Sequence, residues 1–176
     1  MENTELEELK KEIAALEKEA EVQKSGSQDP DLAILYSNLG VMYLEQEEAQ
    51  PAVAAFTKGL ELDLTALGAE HIDVALDYSS LATALEMAEE PDQAALNYEK
   101  ALEIYLKAGP EEEAQVAITY ANLAFLMDEK QEFEKAIELY EKALEIDLRI
   151  LGGKHQQIAT YNNNIGLAFK SLKKFE

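Results

Sequence analysis

The 176 residues contain no cysteine and only two histidines. The first absence excludes disulfides and thiolate metal sites, and two lone histidines, His71 and His155, standing far apart in the chain argue against any metal centre, so no cofactor is expected. No apolar stretch approaches the roughly 18 to 20 residues that a membrane-spanning helix requires, and no basic start precedes an apolar run. A cytoplasmic location without a membrane partner is the expectation. Positive charge is scarce, with 15 Lys and Arg against 36 Asp and Glu and a formal net charge of −21. Phosphate backbones are held by Lys and Arg, so nucleic acid is excluded as a partner. Catalytic signatures are missing as well. There is no ordered nucleophile and base and no glycine-rich phosphate loop, and the many carboxylates are expected on exposed faces rather than forced into pairs, so the chain is not expected to be an enzyme.

What is present is helical periodicity. From Glu113 to Lys154, Val116, Ala117, Tyr120, Leu123, Ala124 and Met127 recur at spacings of three and four, which is one face of a helix. Phe133, Ala136, Ile137, Tyr140, Ala143, Leu144, Ile146, Leu148 and Leu151 continue the pattern as far as Gly152. The short polar segment Asp128-Glu129-Lys130-Gln131 between them forces an antiparallel hairpin.

This hairpin recurs at a fixed spacing. Ala117 falls on Ala75 and Ala33, Tyr120 on Tyr78 and Tyr36, and Leu123 on Leu81 and Leu39; in the second helix Ala136 falls on Ala94 and Ala52, and Tyr140 on Tyr98 and Phe56. Periods of this size signal stacked supersecondary units, each burying its face on the next. The fold class expected is an all-α, right-handed α-solenoid of antiparallel helix pairs. It would hold about three and a half repeats, over 29–70, 71–112, 113–154 and a partial 155–176.

An amphipathic helix is predicted ahead of the repeats, over residues 4–23. Thr4 and Glu7 have capping-box spacing, and Leu6, Leu9, Ile13 and Leu16 form a seam. Residues 1–28 therefore read as a helix, either a cap on the first hairpin or a short coiled coil, followed by a joint at Lys24-Ser25-Gly26-Ser27-Gln28. Pro51 and Pro91 lie where second helices open, Gly68 where one stops, and Gly109-Pro110 falls one position out of step, which predicts a different loop there. The chain begins with a helix of the second type and ends with one of the first type. Its ends are thus complementary in kind, and a structural or engineered scaffold that self-associates through them, as a swapped dimer or head to tail, is one functional reading.

Charge is concentrated in part of the chain. Residues 29–112 hold 18 acids against three lysines, whereas residues 113–176 hold ten acids against eight bases. Such a surface either keeps the protein soluble or steers a basic partner toward it.

The small-residue pairs Ala33/Gly40, Ala75/Ala82, Ala117/Ala124 and Ala159/Gly166, the aromatic residue four after Ala52, Ala94 and Ala136, and Tyr-Glu-Lys-Ala-Leu-Glu-Ile at 98–104 and 140–146 resemble tetratricopeptide repeats. The 42-residue period, with Leu67-Gly68 before His71 and Leu151-Gly152 before His155, resembles the longer repeats of kinesin light chains in particular. That resemblance implies a scaffold without catalytic activity whose first helices line a concave face and bind an extended peptide. Carried onto this chain, the peptide-binding positions are Ile34, Asn38, Val41, Leu76, Ser80, Thr83, Ile118, Asn122, Phe125, Asn163 and Asn164. Asparagine offers both donor and acceptor to a peptide backbone, though the same asparagines could instead bridge neighbouring helices. The next positions along the groove, Leu44, Glu86, Asp128 and Lys170, include only one base. The expected peptide is accordingly basic or neutral rather than acidic.

Overall fold

The structure, a computed structural model, describes residues 2–23 and 30–173. Within them the regular elements are all helical: α1 (Glu2–Gln23), α2 (Pro30–Glu45), α3 (Ala49–Ala66), α4 (Ile72–Met87), α5 (Pro91–Ala108), α6 (Glu113–Glu129), α7 (Phe133–Ile150) and α8 (Gln156–Leu172). A short 3-10 turn, Pro110–Glu112, precedes α6 and follows Gly109 at φ 110°, so the out-of-step loop does differ from the others. α1 starts before Thr4, so Thr4 lies inside the helix and is not its cap. The joint expected at 24–28 falls outside the described residues.

The three hairpin turns share one device. Glu47, Glu89 and Gln131, at matching repeat positions, each adopt a positive φ, of 58°, 60° and 62°. Their N–H groups bond the carbonyls of Leu44, Glu86 and Asp128, and the next N–H reaches back to Tyr43, Leu85 and Met127 at 2.8–2.9 Å. This pair of bonds is a Schellman stop, which satisfies the last carbonyls of the first helix and reverses the chain. Glycine is the usual residue at that point, and its replacement by Glu and Gln hides the stop from sequence inspection. Between hairpins Gly68 and Gly152 do hold positive φ, at 88° and 78°. His71 and His155 then cap α4 and α8, each Nδ1 accepting from the N–H two residues on.

The chain forms two compact units, Met1–Asn97 and Tyr98–Glu176, with α5 running through the boundary. In the first, Leu6 and Ile13 of α1 are buried with Leu32, Ala33 and Leu39 of α2 and Ala55 and Leu62 of α3. Burying each large side chain is worth about 1.5–3 kcal/mol, enough to hold α1 on the first hairpin. The Tyr36 hydroxyl donates to Glu17 across the same contact, and Lys10 lies over the Tyr43 ring at 5.3 Å. α1 thus covers the α2 face, with Glu8 and Glu12 in solvent.

The second unit is built on Ala124, Ala136, Tyr140, Ala143 and Tyr161, with Phe133, Ile137 and Ala168 in a neighbouring cluster. One sequence expectation is corrected there. Leu148 and Leu151 are exposed, at 44% and 45%, while Asp147 beside them is buried. Ala159 and Gly166 are also exposed, whereas Ala33, Ala75 and Ala117 are buried. A side chain at Gly40 would strike the Phe56 ring at 2.7 Å; one at Gly166 would meet nothing.

Candidate functional site

Residues three and four apart share a helix face, so Ile34, Asn38 and Val41 form one exposed strip on α2, and Leu76 and Thr83, with half-buried Ser80 between them, form its counterpart on α4. Ile34, Val41 and Leu76 keep 58%, 47% and 46% of their surface in solvent. Apolar side chains left so exposed add little to folding, and a group of them around a concavity is the usual mark of a contact surface. The concavity lies between the strips, a cavity of about 340 Å³ whose walls include Ile34, Val41, Leu76 and, from the first hairpin's second helix and its end, Phe56 and Leu67.

Its polar lining is acidic. Asp63 of α3 and Asp73 and Asp77 of α4 line it beside Ser37, Asn38 and Ser80, and the lining includes no Lys or Arg. Asp77 is only 6% exposed. Its Oδ1 accepts the Ser37 hydroxyl at 3.3 Å, while its Oδ2 is buried without a donor. Burial first, and then the neighbouring Asp63 carboxylate, push the pKa of Asp77 up to about 7; the Ser37 bond opposes the rise and the Asp73 charge adds to it. Gly59 makes room for this arrangement, because a side chain there would meet the Ser37 oxygen at 3.1 Å.

Composition and pattern predict carboxylates on exposed faces and unpaired. The structure instead buries Asp77 and Asp147 and sets Asp63 against Asp77. The signal for this lies in the repeat: Asp147 and Tyr161 stand two periods after Asp63 and Asp77. In the second unit the buried Asp147 bonds to the Tyr161 hydroxyl, which also accepts from the Gln157 amide at 3.0 Å. Burial, ahead of the Asp147 charge, pushes the Tyr161 phenol up to about 12. One position thus pairs acid with hydroxyl in the later unit and acid with acid in the earlier one.

The remaining predicted positions lie in the second unit. Ile118 and Phe125 of α6 are 46% and 48% exposed, with Asn122 half-buried between them. On α8, Asn163 is exposed, but the side chain of Asn164 bonds Tyr140 of α7. Asn164 therefore bridges two helices. Among the described residues, no cluster of three or more His, Asp or Glu could hold a metal ion, and no helix is long and apolar enough to cross a membrane.

The tetratricopeptide repeat family model matches residues 31–107 and 115–176. The chain belongs to the tetratricopeptide repeat family. No curated protein sequence matches it. Among solved structures, BtubC (BKLC) from P. vanneervenii aligns at TM-score 0.72 and 23% identity over 97% of this chain, which spans 66% of that structure's length. A putative kinesin light chain from Podosopora anserina with nearly identical tetratricopeptide-like repeats aligns at 0.71 and 18% identity, over 94% of this chain and 80% of that one. The first tetratricopeptide domain of Spaghetti, solved with the HSP90 peptide SRMEEVD, aligns at 0.64 and 16% identity, over 85% and 99%. These likenesses fix the fold as an all-helical tetratricopeptide solenoid with kinesin light chain-like relatives, and the family makes the chain a protein-interaction module.

Proposed function

We propose that this tetratricopeptide repeat protein is a non-enzymatic, cytoplasmic module that binds an extended, basic or neutral peptide of a partner protein. The observation that carries the reading is the pair of exposed strips on α2 and α4, where Ile34, Val41 and Leu76 alternate with Asn38 and Ser80 around a concavity. Apolar anchors supply desolvation and the amide and hydroxyl groups supply backbone hydrogen bonds, the combination an extended chain needs. Ile118, Asn122 and Phe125 offer the same chemistry on α6, with Asn163 available on α8. The peptide solved with Spaghetti, SRMEEVD, carries three acids against one arginine. The face on α2 and α4 has the opposite requirement, since Asp63, Asp73 and Asp77 would repel such a ligand. Selection from a random-peptide display library tests the reading. Binders that lose affinity when Ile34 is changed to Glu support it, and a library that yields none removes it.

Self-association through the terminal helices is a second reading. Phe169, 46% exposed on α8, favours it, although the seam of α1 is already occupied by α2. A light-scattering mass that rises with concentration would support it; a constant monomer mass would remove it.

A further inference from the structure

The Asp77 carboxylate is part of the lining of an open cavity, with one oxygen buried and without a donor. Leaving a charged acceptor unpaired in this way costs folding free energy. The equivalent pair in the second unit avoids that cost through a tyrosine hydroxyl. Here the matching group is a second carboxylate, Asp63, which can share the proton of Asp77 but has no hydrogen to donate once both are ionised, and the cavity beside it leads to solvent.

We propose that this cavity receives the cationic side chain, arginine or lysine, of the bound peptide, with its methylenes against Ile34, Leu67 and Leu76 and its charged head on Asp77 and Asp63. The proposal rests on the peptide-binding reading above and deepens it. At about 340 Å³ the space lies at the low end of ligand pockets, suited to one long side chain rather than a larger molecule. Its apolar and acidic lining residues reproduce the two halves of a basic side chain, an aliphatic stem and a hydrogen-bonding head. A guanidinium presents several donors in a rigid fork, and two adjacent carboxylates supply the acceptors; an ammonium would satisfy the same oxygens as a point charge. The charge of the surroundings agrees, since residues 29–112 carry 18 acids against three lysines and draw cations to this part of the chain. Asp77 also holds its proton close to neutrality, because burial and then the neighbouring Asp63 carboxylate disfavour its ionised form; an incoming cation would displace that proton and offset the repulsion of the pair. The charged groups facing Asp77 are Asp63 from α3 and Asp73 from α4, with Ser37 the polar group from α2; Asp73 is in turn 3.5 Å from His71.

The test uses the full chain and three acetylated, amidated peptides of the form Leu-X-Leu, with X arginine, lysine or the neutral arginine isostere citrulline, followed by amide NMR titration at pH 8. The arginine or lysine peptide is expected to bind at least tenfold more tightly than the citrulline peptide, moving the amides of Ser37, Leu76 and Asp77, and to lose that preference in Asp77→Asn. Asp63→Asn, measured in parallel, should reduce the preference in the same direction and serves if the first variant folds poorly. Equal binding of all three peptides on this face would overturn the cation site while leaving the peptide-binding reading intact. Binding of none would overturn both.

Discussion

Asp63 on α3 stands against Asp77 on α4 at the position where, two repeats later, Asp147 on α7 meets the hydroxyl of Tyr161 on α8. A repeat array reuses its contacts, and substitution at one repeated contact turns a satisfied hydrogen bond into a charge awaiting a partner. Stability and recognition thereby become linked at one site.

The pair makes stability depend on pH. Asp77 has a folded-state pKa of about 7, above its ordinary value of 3.8, so the native state binds the proton more tightly than the unfolded chain. Stability from this group is present below pH 4 and is lost as pH rises toward 7. Asp77→Asn removes the titration. The variant should match the parent near pH 4 and exceed it at pH 7.5 by on the order of 1–3 kcal/mol, each pKa unit being worth about 1.4 kcal/mol before solvent screening. Urea unfolding of both chains across that range measures the difference, which cancels the repulsion among the other carboxylates.

Glycines at matching repeat positions should respond oppositely. Gly40→Ala drives a methyl group into the buried Phe56 ring and should cost about 1–3 kcal/mol. Gly166→Ala meets open space in the interior of α8 and should gain about 1 kcal/mol from helix propensity. Thermal unfolding monitored by circular dichroism distinguishes them by sign.

The hairpin stops are strained by their side chains. Glu89 sits at φ 60° without the freedom of glycine, and Glu89→Gly should stabilise the chain by about 0.5–1.5 kcal/mol, the relief of left-handed strain less the entropy glycine loses on folding. In a chain of this size that is a rise of a few degrees in melting temperature. An unchanged or lower value would mean the turn carries no such strain.

Asn122 separates a binding role from a structural one. It is half-buried on α6 between Ile118 and Phe125, and Asn122→Ala should weaken peptide binding while changing stability by less than about 0.5 kcal/mol. Isothermal titration and melting of the same sample give both values. Asn164, which bonds Tyr140, should show the reverse pattern.

Much of this was legible in the sequence. The repeat period yields the helix pairs, and spacing of three and four places Ala33, Ala75 and Ala117 inside, while the resemblance to tetratricopeptide repeats points to Ile34, Leu76 and Ile118, which are exposed. Less legible were the features that depend on how neighbouring helices meet. Hydropathy assigns Leu148 inward and Asp147 outward, and packing reverses both, because contact with the next helix selects a side chain by shape and hydrogen bonding as well as polarity. The Schellman stops were hidden because the residue at their left-handed position is not glycine. The acidic cavity was hidden because Ser37, Asp63 and Asp77 come from three different helices and meet only when those helices pack.

Amide NMR of the full chain with a display-selected peptide tests the central claim, that the strips on α2 and α4 bind an extended peptide. Saturable shifts centred on Ile34, Asn38, Val41, Leu76 and Ser80, abolished by Ile34→Glu, are the predicted result. Shifts confined to the outer surfaces of α3 and α7, with these five residues unmoved, would contradict it.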